Sequence, residues 1–246
     1  MIGTTVGKYR FIEQLGAGGM GTVFRAVDET LERHVAIKVL NAGLEGESLQ
    51  RFRHEAVTLA RLNHPRIAHL YELAGDGERL LMVMELVEGQ TLEQVIATGG
   101  PMPVARAVGI MDRALDAIAY AHANGVVHRD LKPANLMLTN GDVKVMDFGI
   151  ARVAGSAHLT RSGYMMGTPA YMAPEQIRGE AVDGRTDLYA MGVVCYRLLT
   201  GTLPFDAENT VAMIQKQLSE QPRPLRELRS DIPEWLECVV MRRSEE

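Results

Sequence analysis

The reading of this chain turns on the octet His128-Arg129-Asp130-Leu131-Lys132-Pro133-Ala134-Asn135. It follows a long helical pattern. Val104, Val108, Met111, Leu115, Ile118 and His122 recur at three- and four-residue steps, the spacing that gathers apolar side chains on one helix face. Asn124-Gly125 supplies a left-handed stop to that helix. The octet is therefore a loop pinned by Pro133, with a carboxylate and an amide five positions apart. Asp130 can orient a hydroxyl and accept its proton. Asn135 can offer an oxygen to a hard cation. Taken singly, each is equally an ordinary polar residue of a surface loop.

A second carboxylate follows in Asp147-Phe148-Gly149, after a short Val143-Val145 strand. Toward the N-terminus, 49–62 reads as a helix with Phe52, Val57, Leu59, Ala60 and Leu62 toward one side, stopped by Asn63-His64-Pro65. Before it lies Val35-Ala36-Ile37-Lys38, a lysine inside a short apolar strand. Burying a charge costs several kcal/mol unless it is paired. Lys38 thus either points to solvent or holds phosphates with a carboxylate to position it, and Glu55 in the following helix is the natural partner. Earlier still, Gly16-Ala17-Gly18-Gly19-Met20-Gly21-Thr22-Val23 lies between two strand patterns. Glycines let backbone amides approach phosphate oxygens. A dinucleotide fingerprint would require a helix after the glycines, whereas a strand follows here. An ordinary hairpin turn remains the alternative.

The rest of the chain fits around these motifs. Strands are expected over 9–15, 21–27, 34–40, 67–72 and 80–87, with a turn at Gly75-Asp76-Gly77, and further helices over 186–200 and 210–218. The order is a small sheet with one helix, then a larger helical part, with a boundary near Glu85 to Gly89. The 246 residues suffice for two lobes with a real core, and 46% of them are apolar. The formal charge of −5 lacks the basic field of a nucleic-acid-coating protein, so no nucleic-acid partner is expected. Cys195 and Cys238 have no metal-like or redox-like spacing and read as reduced thiols. No apolar run reaches the roughly 18 residues of a membrane span, and residues 1–8 do not resemble a signal peptide. The expected location is cytoplasmic.

Together the motifs resemble the eukaryotic-type (Hanks-type) serine/threonine protein kinases, in a bacterial-like form. The resemblance runs from Tyr9 to about Leu236. It rests on the glycine loop, Val-Ala-Ile-Lys, the octet, Asp147-Phe148-Gly149 and Ala173-Pro174-Glu175, in that order and spacing. It implies an α+β, two-lobed fold: a small antiparallel-sheet N-lobe with one helix (9–86) and a larger, mainly helical C-lobe (87–246), after an N-terminal extension (1–8). It also implies transfer of the ATP γ-phosphoryl group to protein Ser/Thr hydroxyls, with Mg2+ (or Mn2+) as the metal and autophosphorylation of the activation segment. Dimerisation is left open.

By matching position, Gly16, Gly18 and Gly21 would cover the triphosphate, and Lys38 paired with Glu55 would hold its α- and β-phosphates. Asp130 would be the catalytic base or hydroxyl positioner. Lys132 would neutralise charge on the transferred group, and Asn135 and Asp147 would bind the metal. The backbone of Glu85 and Val87 would meet adenine, with Met84 as gatekeeper and Leu15, Val23, Ala36 and Met137 around the base. Leu59, Leu70, His128 and Phe148 match the family's apolar stack, and Asp187 matches the residue that braces the catalytic loop. Lys132 and Thr168 follow the serine/threonine form. Arg129 implies control by phosphorylation, with Thr160 and Ser162 as candidate acceptors.

The pattern departs at its C-terminal end. The family's arginine partner for Glu175 has no match, Arg242 or Arg243 being the available substitutes, and the chain reads as shortened there. Two rival classes carry opposite expectations. A non-catalytic scaffold of this fold predicts loss of Lys38, Asp130 or Asp147, all present. A small-molecule kinase predicts no Ala-Pro-Glu and no long activation segment, and both are present.

Overall fold

Alternation along the first strands decides which way the N-terminal sheet faces. The computed structural model describes residues 1–18, 21–40, 46–75, 79–149 and 169–242. These form two compact units, 1–88, and 89–148 together with 169–242.

In the first unit, β1 (Thr5–Val6), β2 (Tyr9–Gly18), β3 (Gly21–Asp28), β4 (Arg33–Leu40), β5 (Leu70–Gly75) and β6 (Leu80–Glu85) build an antiparallel sheet in the order β1-β2-β3-β4-β6-β5. The helix α1 (Gly46–Ala60) connects β4 toward β5. Phe11, Phe24, Ala26, Val35, Ile37, Val39, Leu81 and Val83 form one buried cluster. Phe11 and Phe24 meet edge to face at 5.3 Å. Full burial of each large apolar side chain stabilises by roughly 1.5–3 kcal/mol. Asp28, wholly buried, accepts the amides of Thr30 and Leu31 on Oδ1 and so shapes the turn into β4. The residues expected as an extension join the sheet, since Thr5 and Val6 pair with Arg10 and Tyr9.

Three strands differ from expectation by two residues or more, the first being β2, which continues past 15 to Gly18. The strand expected over 67–72 runs over Leu70–Gly75 instead. His64 accepts the amides of Arg66 on its ring and Ile67 on its carbonyl, and this turn leaves buried Ile67 as an isolated bridge, so continuous pairing begins only at Leu70. The strand expected to reach 87 stops at Glu85, whose amide donates to His69 O. The expected turn at 75–77 lies largely outside the described residues.

The second unit holds α2 (Leu92–Gly99), α3 (Val104–Ala123), α4 (Pro174–Arg178), α5 (Gly184–Thr200), α6 (Thr210–Ser219), α7 (Leu225–Leu228) and α8 (Glu234–Met241). A small sheet of β7 (Gln90–Thr91), β8 (Leu136–Thr139) and β9 (Asp142–Val145) accompanies them. α5 is buried on nearly every side, as befits a central helix. Asp183 caps its start and Gly201, at φ 78°, ends it. The buried face of α3 is not the expected stripe. Met111 and Ile118 belong to it, but its centre is Ala107, Ala114, Ala117 and Ala121, small residues that let α3 and α5 approach closely. Asn140-Gly141, both at positive φ, join β8 and β9 in a two-residue hairpin.

Gly89 shows why no side chain is allowed where β7 meets β8: a Cβ there would lie 2.1 Å from Leu138 O. Among the described residues, Cys195 is buried and Cys238 exposed, both free. Burial pushes the Cys195 thiol up to about 12. No helix among the described residues is long and apolar enough to cross a membrane.

Candidate active site

The catalytic-loop octet begins at a buried carboxylate. Asp187, in the first turn of α5 and 1% exposed, accepts His128 N (2.8 Å) and the ring of His122 (2.7 Å) on Oδ2, and Arg129 N (2.8 Å) on Oδ1. Three such bonds satisfy a charge that would otherwise be costly to bury. They also hold Arg129 in the left-handed region, at φ 66°, where a non-glycine residue costs on the order of 1–3 kcal/mol unless its surroundings enforce it.

His128 is wholly buried. Its Nε2 donates to Met146 O (2.9 Å) and its Nδ1 accepts Asp130 N (3.3 Å), so the ring is the neutral Nε2–H tautomer. Burial pushes its pKa down, against the pull of Asp187. Its ring stacks 4.5 Å from that of Phe148.

Further along, Lys132 Nζ lies 2.9 Å from Asp130 Oδ2. The Asn135 side chain donates from Nδ2 to Asp130 O (2.7 Å) and Oδ2 (3.3 Å). With Nδ2 committed to the loop, Oδ1 is the atom Asn135 can offer a cation. Its carbonyl accepts Met146 N, tying the loop to the start of Asp147-Phe148-Gly149. Asp147 stands at φ 53°, like Arg129 in the left-handed region. The second unit thus brings Asp130, Lys132 and Asn135 into one hydrogen-bonded group, with Asp147 following the strand end that Asn135 anchors.

In the first unit, strand register sorts the expected residues. Lys38 pairs with Val23 and Met82, and Ala36 with Arg25 and Met84. Directly opposed residues share a face and alternate ones return to it. Val23, Ala36, Lys38 and Met84 therefore lie on the face opposite the Phe24-Ile37-Val83 core. Lys38 is half-buried in its strand, and Glu55 is half-buried on α1.

Leu15 is half-exposed beside Gly16 near the tip of β2. Gly16 and Gly18 have open space where a Cβ would stand, whereas one on Gly21, at φ 154°, would lie 2.2 Å from Val39 O. Because Glu85 N donates to His69 O, Glu85 could meet a base only through its carbonyl. Val87 follows the last paired residue of β6. Met137, in β8, pairs with Thr91 and Lys144 in the second unit. Leu59 and Leu70 are buried in the first unit. Thr160, Ser162 and Thr168 lie outside the described residues.

The chain matches the protein kinase domain family over residues 9–243. It belongs to that family. Similar curated proteins include the serine/threonine-protein kinase PrkC of Bacillus subtilis, 38% identical over 96% of this chain and 37% of that protein. Another is the serine/threonine-protein kinase pkn3 of Myxococcus xanthus, 42% identical over 98% of this chain and 47% of that protein. The chain therefore spans less than half the length of these relatives. Among solved structures, the crystal structure of Rad53 1-466 in complex with AMP-PNP matches with a TM-score of 0.78 and 31% identity, over 95% of this chain and 60% of that one.

Within the kinase domain, three side chains matter that sequence reasoning did not single out for the site. His122 entered only as an apolar-face residue, yet it bonds Asp187. Gln176 donates to Arg129 O. Thr186, from α5, donates its hydroxyl to Glu175, at the place where the resemblance implies an arginine. The Thr-x-x-Gln box of Thr91 and Gln94 was a readable signal for α2. No local pattern marks the long-range partners.

Proposed function

We propose that this kinase domain is a serine/threonine protein kinase that transfers the γ-phosphoryl group of ATP to a protein hydroxyl. The observation that carries the reading is Asp130, held by its backbone through Asn135 and His128 and paired with Lys132 Nζ at 2.9 Å. Asp130 orients the incoming Ser or Thr hydroxyl and takes its proton as the hydroxyl oxygen bonds to the γ-phosphorus. The bond from that phosphorus to the β–γ bridging oxygen breaks, and ADP leaves. Lys132 neutralises charge on the group in flight. Positioning and charge stabilisation dominate such transfers.

Lys38, positioned by Glu55, takes the α- and β-phosphates, and Gly16, Gly18 and Gly21 keep the loop backbone open to them. Val23, Ala36 and Met84, sharing one sheet face, with Leu15 and Met137, are assigned to the adenine, and Glu85 and Val87 to its edge. Among the described residues no cluster of three His, Cys, Asp or Glu side chains could hold a metal. One amide oxygen and one carboxylate, Asn135 and Asp147, suit magnesium, which takes few protein ligands and fills its sphere with phosphate oxygens and water. When bound, it supplies neutralisation of the phosphate charge. Manganese fits the same oxygen donors.

Serine/threonine specificity is supported by the names of the relatives and by Lys132. A cytoplasmic location belongs to the same reading, supported by ATP use and by cysteines that form no disulfide. Control through Arg129 and phosphorylation at Thr160, Ser162 or Thr168 extends it.

The test is a radiolabel assay on generic protein substrate, with and without magnesium. Transfer should require the metal, and Asp130→Asn and Lys38→Met should each lower it by at least about 100-fold. Near-normal transfer by either purified variant would refute the role given to that residue. Mass spectrometry after incubation with Mg-ATP should find phosphate within residues 149–168.

A further inference from the structure

We infer that Gln176 is a positioning residue for Asp130, acting through the Arg129–Asp130 peptide; the inference rests on the kinase reading above. That peptide precedes the proposed base, and Arg129 carries the left-handed φ of 66°. Each of its polar atoms meets a side chain. Asp130 N donates to His128 Nδ1 (3.3 Å), and Arg129 O accepts Gln176 Nε2 (2.9 Å). Asp187 Oδ1 takes the preceding amide, Arg129 N (2.8 Å).

Asp187 and His128 bind N–H groups, so neither restrains the carbonyl. A peptide plane gripped only through its amides can still tilt, and tilting rotates the Asp130 Cα–Cβ bond. Gln176 supplies the missing grip on the oxygen.

The other end of its amide is fixed as well. Gln176 Oε1 accepts Ala173 N (3.1 Å), closing the first turn of α4. One partner is an N–H and the other a carbonyl, so the orientation of the amide follows from chemistry: Oε1 must face Ala173 and Nε2 must face Arg129. Gln176 is thus a rigid strut between the Ala-Pro-Glu helix and the catalytic loop. Glutamine is required for both contacts. Glutamate could serve Ala173, being a normal residue at this place in a capping box, but it would set a carboxylate oxygen against the Arg129 carbonyl oxygen.

The experiment compares the chain with Gln176→Glu and Gln176→Ala. Three readouts are taken: steady-state kinetics, melting temperature, and amide hydrogen exchange of the peptide covering 127–131. For Gln176→Glu the expectation is a fall in kcat of about ten-fold, with KM for ATP within about two-fold. Its melting temperature should fall by at most about 2–4 °C, the cost of one lost hydrogen bond, and its exchange over 127–131 should be faster. Gln176→Ala should show the same kinetic split with a larger fall in melting temperature, because it also loses the cap.

Unchanged kcat in Gln176→Glu overturns the inference. So does a loss of activity that tracks a melting temperature lowered beyond that range in that variant, which would make Gln176 a stability residue only. If the unsubstituted chain transfers no phosphate, the kinase reading itself fails. The exchange comparison still decides whether Gln176 restrains the peptide: faster exchange upholds the strut and unchanged exchange removes it.

Discussion

At the scale of single residues, chemistry and support divide cleanly. Asp130, Lys132, Asn135 and Asp147 carry the proposed chemistry, and they stood out because they fall in motifs of set order and spacing. Asp187 and His128 are support, and the structure adds what they support. Replacing Asp187 by Ala would strand the His128 and Arg129 amides and the His122 ring. We expect Asp187→Ala to destabilise the chain by about 3–5 kcal/mol, measured by denaturant unfolding, with activity lost even where the fold persists. His128 gives a pH prediction. Its folded-state pKa lies below the ordinary 6.5 because burial disfavours the charged ring. As pH falls below about 6.5 the unfolded chain takes up a proton that the folded one refuses. The neutral ring's contribution is therefore complete above that value and lost as pH drops toward the folded pKa. The slope is at most about 1.4 kcal/mol per pH unit. Melting followed from about pH 7.5 to 5.5 should show a shallower decline in His128→Phe than in the unsubstituted chain. Parallel curves would mean that the buried ring is not the group responsible.

Elements were legible to the degree that one local force decided them. Most strands follow alternation, and α1 buries Phe52 and Leu59 as its spacing implies, but with Ala56 in place of Val57, which is 51% exposed; Gly201 ends α5 as a left-handed cap should. The misses have physical reasons. The strand at Leu70–Gly75 is displaced by a His64-centred turn that no periodicity reports. The buried face of α3 is set by how closely α5 approaches, so alanines outrank the larger residues of the expected stripe. In the glycine loop Gly21 is required by packing, since a Cβ would collide with Val39 O in the neighbouring strand, while Gly16 and Gly18 face open space. Gly21→Ala should therefore cost about 1–3 kcal/mol of stability, seen as a lowered melting temperature. Gly18→Ala should leave melting unchanged and raise KM for ATP several-fold, because an added methyl would stand between backbone and phosphate. If Gly18→Ala binds ATP normally, the loop is a plain hairpin turn, as its sequence alone also allowed.

For the molecule as a whole, the sheet-rich and helix-rich halves were foreseeable from the change in periodicity near Glu88, whereas the pairing of Thr5–Val6 with β2 was not. Two residues of strand carry too short a pattern to register, and only the finished sheet edge gives them a partner. The proposed ATP and metal roles of Lys38 and Asp147 say how stability should respond to ligand. A ligand that binds only the folded chain stabilises it by RT ln(1 + [L]/Kd), about 2.7 kcal/mol at a hundred-fold excess over Kd. Melting with a non-hydrolysable ATP analogue and magnesium should rise accordingly, and chelating the metal should remove part of the rise. Lys38→Met and Asp147→Asn should each diminish the shift, and the chelator should then have no further effect on Asp147→Asn, because the metal's carboxylate is already gone. A shift in Asp147→Asn that still responds fully to chelation would place the metal on other residues. A shift in the unsubstituted chain that ignores magnesium altogether would leave Asp147 without its proposed role while sparing the assignment of Lys38.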